Sequence, residues 1–428
     1  MTSATTPTVP ADHPEQVTSA TAPRKWKTPI LLAVLTLIAL IPFTLMVAPE
    51  NMTGINIVGD QRPEAVVPSQ FTNLLLCIPL IAITAFAALR AWQRKPISIW
   101  FLAIFGFFWL NILILWIGNG AAVPVALTWL LTSTVALATP LVFGAMAGIV
   151  SERAGVVNIA IEGQLLAGAF TGALVSSLTQ NAYVGLIAAM IAGALVSLIL
   201  AVFGIKYWVE QVVVGVVINM IVIGLTSFFL KGFMSDRPEI FNNPVKYPRW
   251  NIPLLSDIPV LGPLLFQHTL ITYLMLIAVP LLTFLLFRTR WGLRTRAVGE
   301  HPKAADTVGI NVNRTRFNAV ILSGLIAGAG GTFYTLGEVG KFSDNITSGH
   351  GYIALAAVIF GRWHPIYATA AALLFGFANA AAALASQVGA AVPSEFLAMV
   401  PYIITVFAVI GFVGQSRAPA ADGVPYIK

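Results

Sequence analysis

Charge is scarce in this sequence. Only 10% of its 428 residues are charged, where a soluble globular protein carries about 25%. Set against 57% hydrophobic residues, that scarcity excludes a soluble fold of this length; the natural solvent for so much apolar surface is lipid. Cysteine is nearly absent: Cys77 stands alone inside an apolar run, which excludes an intramolecular disulfide and a thiolate metal site. The five histidines, His13, His268, His301, His350 and His364, show no metal-ligand spacing such as HExxH, so none is read as a ligand. No GxxxxGK followed by Ser or Thr occurs, so nucleotide hydrolysis is not expected of this chain. No Ser–His pair sits at matching depths along the apolar runs, which argues against a membrane-embedded enzyme. The net charge is +7, with Lys+Arg 24 against Asp+Glu 17. These basic residues stand at the ends of apolar runs rather than in aromatic-interleaved patches, so they point away from nucleic acid and toward membrane loops.

What is present is a series of long apolar runs. A spanning helix needs about 20 mainly apolar residues, because the backbone must satisfy its own hydrogen bonds in lipid. Spans are predicted at Thr28–Ala48, Phe71–Ala91, Ile97–Ile117, Val125–Val150, Asn158–Ser177, Tyr183–Phe203, Val212–Leu230, His268–Phe287, Phe317–Gly337, Tyr367–Ala385 and Phe396–Val413. The apolar stretch Gly351–Phe360 is too short for an ordinary span. Either it crosses, or it turns back as a re-entrant half-helix buried in protein. The fold class is therefore an all-α polytopic membrane protein with about 10–12 transmembrane helices.

Residues 1–23 are rich in Thr, Ala, Pro and Ser, and are expected to be a disordered cytoplasmic tail. Arg24, Lys25 and Lys27 then precede the first span and put the N-terminus in the cytoplasm. Alternation carries the strongest basic cluster, Arg288, Arg290, Arg294, Arg296, Lys303, Arg314 and Arg316, to the same side. Residues 24–120, bulky and rich in Leu, Ile, Phe and Trp, read as an N-terminal extension with three spans; residues 121–415, richer in Gly and Ala, read as a separate core; residues 416–428 read as a cytoplasmic tail.

Several polar residues fall at membrane depth, where such groups are costly and face a cavity or a partner. Asn158 and Glu162, four apart in the fifth run, and Asn219, midway along the seventh, are candidates to line a hydrophilic path. The alternative is helix–helix hydrogen bonding or, for Glu162, pairing with Arg153. Phe333 and Tyr334 are placed either to stack on a flat ring or to anchor at an interface. Arg362 marks a turn. In the loop after the eighth span, AVGEHPKAADTVGINV (Ala297–Val312), Ala304, Ala305 and Gly309 have the spacing A-A-x-x-x-G. Pro302 suits the first turn of a short helix and Gly309 its end. Two small residues on such a helix permit close docking in another protein's cleft.

That segment resembles the coupling loop of ABC importer permeases, E-A-A-x-x-x-G, with Lys303 at the Glu position. Its neighbours are similar to the simple-sugar and nucleoside branch. Gly148–Gln164 (GIVSERAGVVNIAIEGQ), Ser348–Pro365 (SGHGYIALAAVIFGRWHP) and Ser416–Lys428 (SRAPAADGVPYIK) resemble the nucleoside permeases in particular. The resemblance covers roughly residues 125–428 and leaves the first three spans outside. It implies a type II ABC importer-like permease core in a bacterial inner membrane. It also implies import of a nucleoside, or of ribose or another simple sugar. The implied partners are an ABC ATPase subunit, a second homologous permease and an extracytoplasmic solute-binding lipoprotein. The chain itself would bind no cofactor, with ATP and Mg used by the ATPase. Glu300, His301, Ala304, Ala305 and Gly309 would make the ATPase contact, with Glu300 and Asp306 facing its cations. A stand-alone transporter driven by an ion gradient is disfavoured by the scarcity of ionisable residues at mid-membrane depth.

Overall fold

The computed structural model describes residues 26–57, 63–121, 123–389, 399 and 417–427. Fifteen helices and five short strands are found among them. An N-terminal trio, α1 (Lys27–Leu40), α2 (Ser69–Trp92) and α3 (Ile99–Ile117), precedes α4 (Leu127–Glu152), α5 (Ile161–Thr179), α6 (Ala182–Ala201) and α7 (Gln211–Phe229). Two short helices, α8 (Pro238–Phe241) and α9 (Leu261–Leu265), decorate the long connection to α10 (Leu270–Arg288). Then follow α11 (Arg290–Glu300), α12 (Pro302–Thr307), α13 (Val312–Thr332), α14 (His350–Phe360) and α15 (Pro365–Gln387). Ten of these, α1–α7, α10, α13 and α15, are long and apolar enough to cross a membrane once the wide turns that prolong α1, α6, α7 and α13 are included. They correspond to the first nine predicted spans and to Tyr367–Ala385. The predicted span Phe396–Val413 and the expected tail 1–23 lie outside the described residues.

The helices that look alike in sequence divide by burial. Helices α4, α5 and α13 are enclosed along most of their length, whereas α1–α3, α6, α7 and α10 bury only one face. Close backbone approach makes this possible. A Cβ on Gly168 would lie 2.3 Å from the Gly328 carbonyl oxygen, and one on Gly193 would lie 2.2 Å from that of Gly324. Helix α13 thus lies in backbone contact with both α5 and α6, which is how small residues hold helices together where lipid offers no hydrophobic drive.

The first three helices have a core of their own, including Leu32, Cys77, Leu80, Phe105 and Ile112. Two joints fasten them to the rest. Leu113 and Ile117 of α3 pack with Phe377, Ala381 and Leu384 of α15. Strands β1 (Met52–Asn56), β2 (Ala65–Pro68) and β3 (Val125–Ala126) form a sheet of order β2-β1-β3. There β1 pairs antiparallel with β2 and parallel with β3, with Ile55 opposite Val125. Strands β4 (Arg249–Asn251) and β5 (Gln267–Thr269) close an antiparallel pair in the long connection on the same face.

The short stretch Gly351–Phe360 resolves into half of a crossing. From the end of α13 the chain meets Asn242 at Phe342, Ser227 at Asp344 and Glu162 at Thr347. It descends unwound to mid-depth before α14 begins. Eleven residues of helix, about 16 Å at 1.5 Å per residue, cover the remaining half of a core about 30 Å thick. Arg362 and Trp363, with φ of 52° and 53°, then reverse the chain into α15 on the face that carries α11 and α12. Turn-rich, non-helical chain plus half-helix crosses once.

Gly168→Val is expected to lower stability in detergent by about 3 kcal/mol or more, because the opposing group is backbone and cannot rotate aside. Gly224→Val, at a position where an added Cβ meets nothing within 4 Å, is the control. Similar unfolding curves for the two variants would refute the close approach as the organising contact.

Candidate functional site

On one face, α11 and α12 form an ordered corner rather than a loop. The Thr289 hydroxyl accepts from the Gly292 N–H at 3.2 Å and starts α11. The His301 ring Nδ1 accepts from the Ala304 N–H at 3.3 Å and caps α12, with Pro302 in the first turn. Gly309, at φ +84°, takes the left-handed conformation that ends the helix and that a side chain would strain. The Asn311 side chain then accepts from the Arg314 N–H at 2.9 Å and starts α13.

The two alanines of A-A-x-x-x-G part company. Ala304 is exposed, whereas Ala305 is buried against Val298, Val312 and Tyr426. Ala305 therefore seats α12 on its own chain and is not on the outward surface. Val308, 75% exposed at the tip, is an outward apolar side chain that the spacing did not point to. Glu300 is engaged within the chain: it lies 3.9 Å from Arg153 and accepts from the Ala420 N–H at 3.3 Å.

Arg153 carries the contact inward. It does not pair with Glu162; its Nε donates to the Trp363 carbonyl at 2.9 Å and its Nη2 to that of Arg362 at 3.4 Å. Burial lowers the Arg153 guanidinium from its ordinary value and Arg296 adds to that, while Glu300 opposes it. The Trp363 indole donates to Glu152 at the end of α4. Arg153 thus joins α11 to the α14–α15 turn, and Trp363 ties that turn to α4.

At mid-depth, the start of α5 is the meeting point. Asn158 precedes the helix, which begins at Ile161, so Asn158 and Glu162 do not share a helical face; they belong to two different networks. Asn158 exchanges hydrogen bonds with Gln164 at 3.1 Å and donates to Ser323 at 2.8 Å, while Gln164 donates to Ser197 at 2.9 Å. Glu162, 1% exposed, closes the N-terminus of α14. Its Oε1 accepts from the Thr347 hydroxyl at 2.6 Å and the Gly349 N–H at 2.8 Å, and its Oε2 from the Gly351 N–H at 2.6 Å. Asn219 of α7 accepts from the Gly163 N–H at 2.8 Å and donates to the Ile159 carbonyl at 2.9 Å and the Tyr352 hydroxyl at 3.0 Å.

Phe333 stands apart, buried in a wide turn that prolongs α13. Tyr334 is already stacked on His350 at 5.7 Å, and its hydroxyl lies 2.8 Å from His350 Nδ1. Thr226 bonds back to its own helix at the Val222 carbonyl. Of the polar side chains gathered here, Tyr352 presents the most surface, at 46% exposed. Its position as the third residue of a half-helix, just after Gly351, was the available signal.

The comparisons with known proteins follow this geometry. The family model for the branched-chain amino acid transport system permease component matches residues 130–409, and the chain belongs to that family. It is 43% identical over 311 residues, 71% of this chain and 97% of the relative, to the guanosine ABC transporter permease protein NupQ of Bacillus subtilis. It is 40% identical over 299 residues, 68% of this chain and 94% of the relative, to the nucleoside ABC transporter permease protein NupC of Lactococcus lactis. A putative glucose ABC transporter permease protein of Haloferax volcanii, TsgC13, is 35% identical over 59% of this chain and 76% of the relative. No solved structure matches the chain at a significant level. The chain is thus a multi-pass ABC transporter permease, a transport component, and its first three helices precede the matched region.

Glu162→Ala would strand three donors, two of them buried, at about 1–3 kcal/mol for each buried one. The variant is expected to lose about 3 kcal/mol or more of stability and to exchange the Gly349 and Gly351 amides faster in hydrogen–deuterium exchange. Unchanged protection at those amides would rule out the capping role.

Proposed function

We propose that this chain is the membrane subunit of an ATP-driven importer for nucleosides, in which α12 docks on a cytoplasmic ATPase subunit that binds and hydrolyses ATP with Mg. One observation carries the reading: a capped, rigid, outward-facing α12 in a chain that aligns along 97% of a guanosine permease. A floppy loop would absorb a partner's motion; a helix anchored at both ends relays it. The outward surface comprises Ala304, Thr307 and Val308, with His301, Glu300 and Gly309 fixing its shape and Ala305 holding it from beneath. The basic cluster on this face supports a cytoplasmic location and, by parity, a cytoplasmic N-terminus.

Docking motion would reach the solute path through Arg153 and Trp363. Helix α14 is short and held at both ends, by Trp363 on the docking face and by Glu162 at mid-depth. Half-helix N-termini in membranes serve as anion sites; here the protein's own carboxylate fills that position. The arrangement favours a solute that brings no phosphate or carboxylate, as nucleosides do not. The exposed Tyr352, its hydroxyl positioned by the buried Asn219, offers hydrogen bonding and an aromatic face to a ribose or base. Asn158, Glu162 and Phe333 would act as its supports rather than as contacts. A second, similar permease and an extracytoplasmic binding lipoprotein complete the proposed assembly. Residues 24–120 form an appended unit in this reading, bound through α15 and the β1–β3 pairing.

Ala304→Glu is expected to abolish uptake and co-purification with the ATPase while the permease still inserts. Full uptake by this variant would end the docking assignment. In competition assays, unlabelled guanosine is expected to suppress uptake and glucose or ribose to leave it intact; the reverse order would move the solute to the simple sugars.

A further inference from the structure

The segment Arg417–Ile427 has no part in the reading above, yet it is built into the docking face. Arg316 is the reason. It lies in the second turn of α13, beneath α12, and is only 1% exposed. A buried guanidinium must be matched by acceptors or it destabilises its surroundings severely. The acceptors come from the far end of the sequence: Nη1 donates to the Val424 carbonyl at 2.8 Å and Nη2 to the Ala421 carbonyl at 3.3 Å. Asp422, between them, provides the neighbouring negative group. Burial pushes its carboxyl up from the usual range, against the pull of Arg316 and of the Gly423 N–H.

The same few residues grip the docking corner. The Ala421 N–H donates to the Gly299 carbonyl at 2.9 Å, and the Ala420 N–H donates to Glu300 at 3.3 Å. Tyr426 packs with Val298, Ala305 and Val312, and it is hydrogen-bonded to Asp306. One strand of chain therefore touches α11, both ends of the α12 region and the start of α13. Gly155 completes the fit from the α4–α5 connection: a Cβ there would lie 2.8 Å from Arg316 Nη2 and 3.0 Å from the Ala421 carbonyl oxygen.

We propose that residues 417–427 are a strap that holds α12 rigid against α13, with Arg316 as the positioning residue that seats the strap, so that motion imposed on α12 moves the membrane helices instead of being lost in the corner. The proposal rests on the docking role of α12. It explains why a short segment remote in sequence is folded under that helix, and why a full charge is buried where no solute passes.

The test uses the complete reconstituted transporter, with labelled guanosine as the probe, and reads uptake per ATP hydrolysed. Ending the chain after Ser416, or replacing Tyr426→Ala, is expected to leave subunit assembly and ATP hydrolysis in place. Uptake per ATP should fall roughly tenfold, within the range of coupling free energies between sites. Arg316→Met should produce a similar loss, and combined with the truncation it should add little, since both act through one contact. A truncated chain with unchanged uptake per ATP overturns the strap. Should truncation prevent assembly, Tyr426→Ala decides, and an unchanged ratio in that variant overturns it equally. A parallel Ala304→Glu variant separates the two claims. If Ala304→Glu fails while the strap variants transport normally, only the strap is wrong; if Ala304→Glu also transports normally, the docking role of α12 falls and the strap with it.

Discussion

A helix that starts inside a bilayer leaves its first N–H groups with no water to bind, and each would cost several kcal/mol if left alone. Helix α14 starts in that way, and the Glu162 carboxylate meets the Gly349 and Gly351 amides and the Thr347 hydroxyl. The rest of the centre is arranged around this contact. Helix α5 must begin at mid-depth to deliver Glu162, so the chain before it is irregular. Side chains of α7 in turn meet the backbone of the irregular stretch: Gln211 accepts from the Val157 N–H and Asn219 donates to the Ile159 carbonyl. Two chain breaks face one another, and each supplies the other's missing partners.

Two broken elements opposite each other make a natural place for a path. Intact helices present only side chains, whereas here polar backbone lies at depth and an exposed tyrosine stands beside it. The far end of α14 is tied to α4, and the turn beyond it is tied through Arg153 to the end of α11. A displacement at α12 thus has a short mechanical route to mid-membrane through side-chain contacts, none of which crosses a flexible loop. The Arg153–Glu300 pair, long at 3.9 Å and open to solvent on the Glu300 side, contributes little by itself; its value is geometric, because its Arg also holds the α14–α15 turn.

Much of this was legible in sequence. Hydropathy located ten spans, since length and apolarity are local properties that lipid imposes on each segment separately. Pro302 and Gly309 marked a helix whose caps are also local. The site was only half legible. That Asn158 and Glu162 are polar groups set among apolar runs could be seen; that they serve different networks could not, because the helix begins between them. The A-A-x-x-x-G spacing named two alanines of which one faces inward, and α12 is too short for spacing to say which.

By itself the sequence determined that the chain lives in lipid, where ten of its spans lie, and that a short helix stands in the loop after the eighth span. Only the tertiary structure decided that Gly351–Phe360 completes a crossing, that Glu162 caps a half-helix rather than pairing with Arg153, and that Arg316 is closed by a segment more than a hundred residues away. The physical reason is common to all three. A buried donor or charge must be satisfied, but nothing in its own stretch of chain says which distant oxygen will do it.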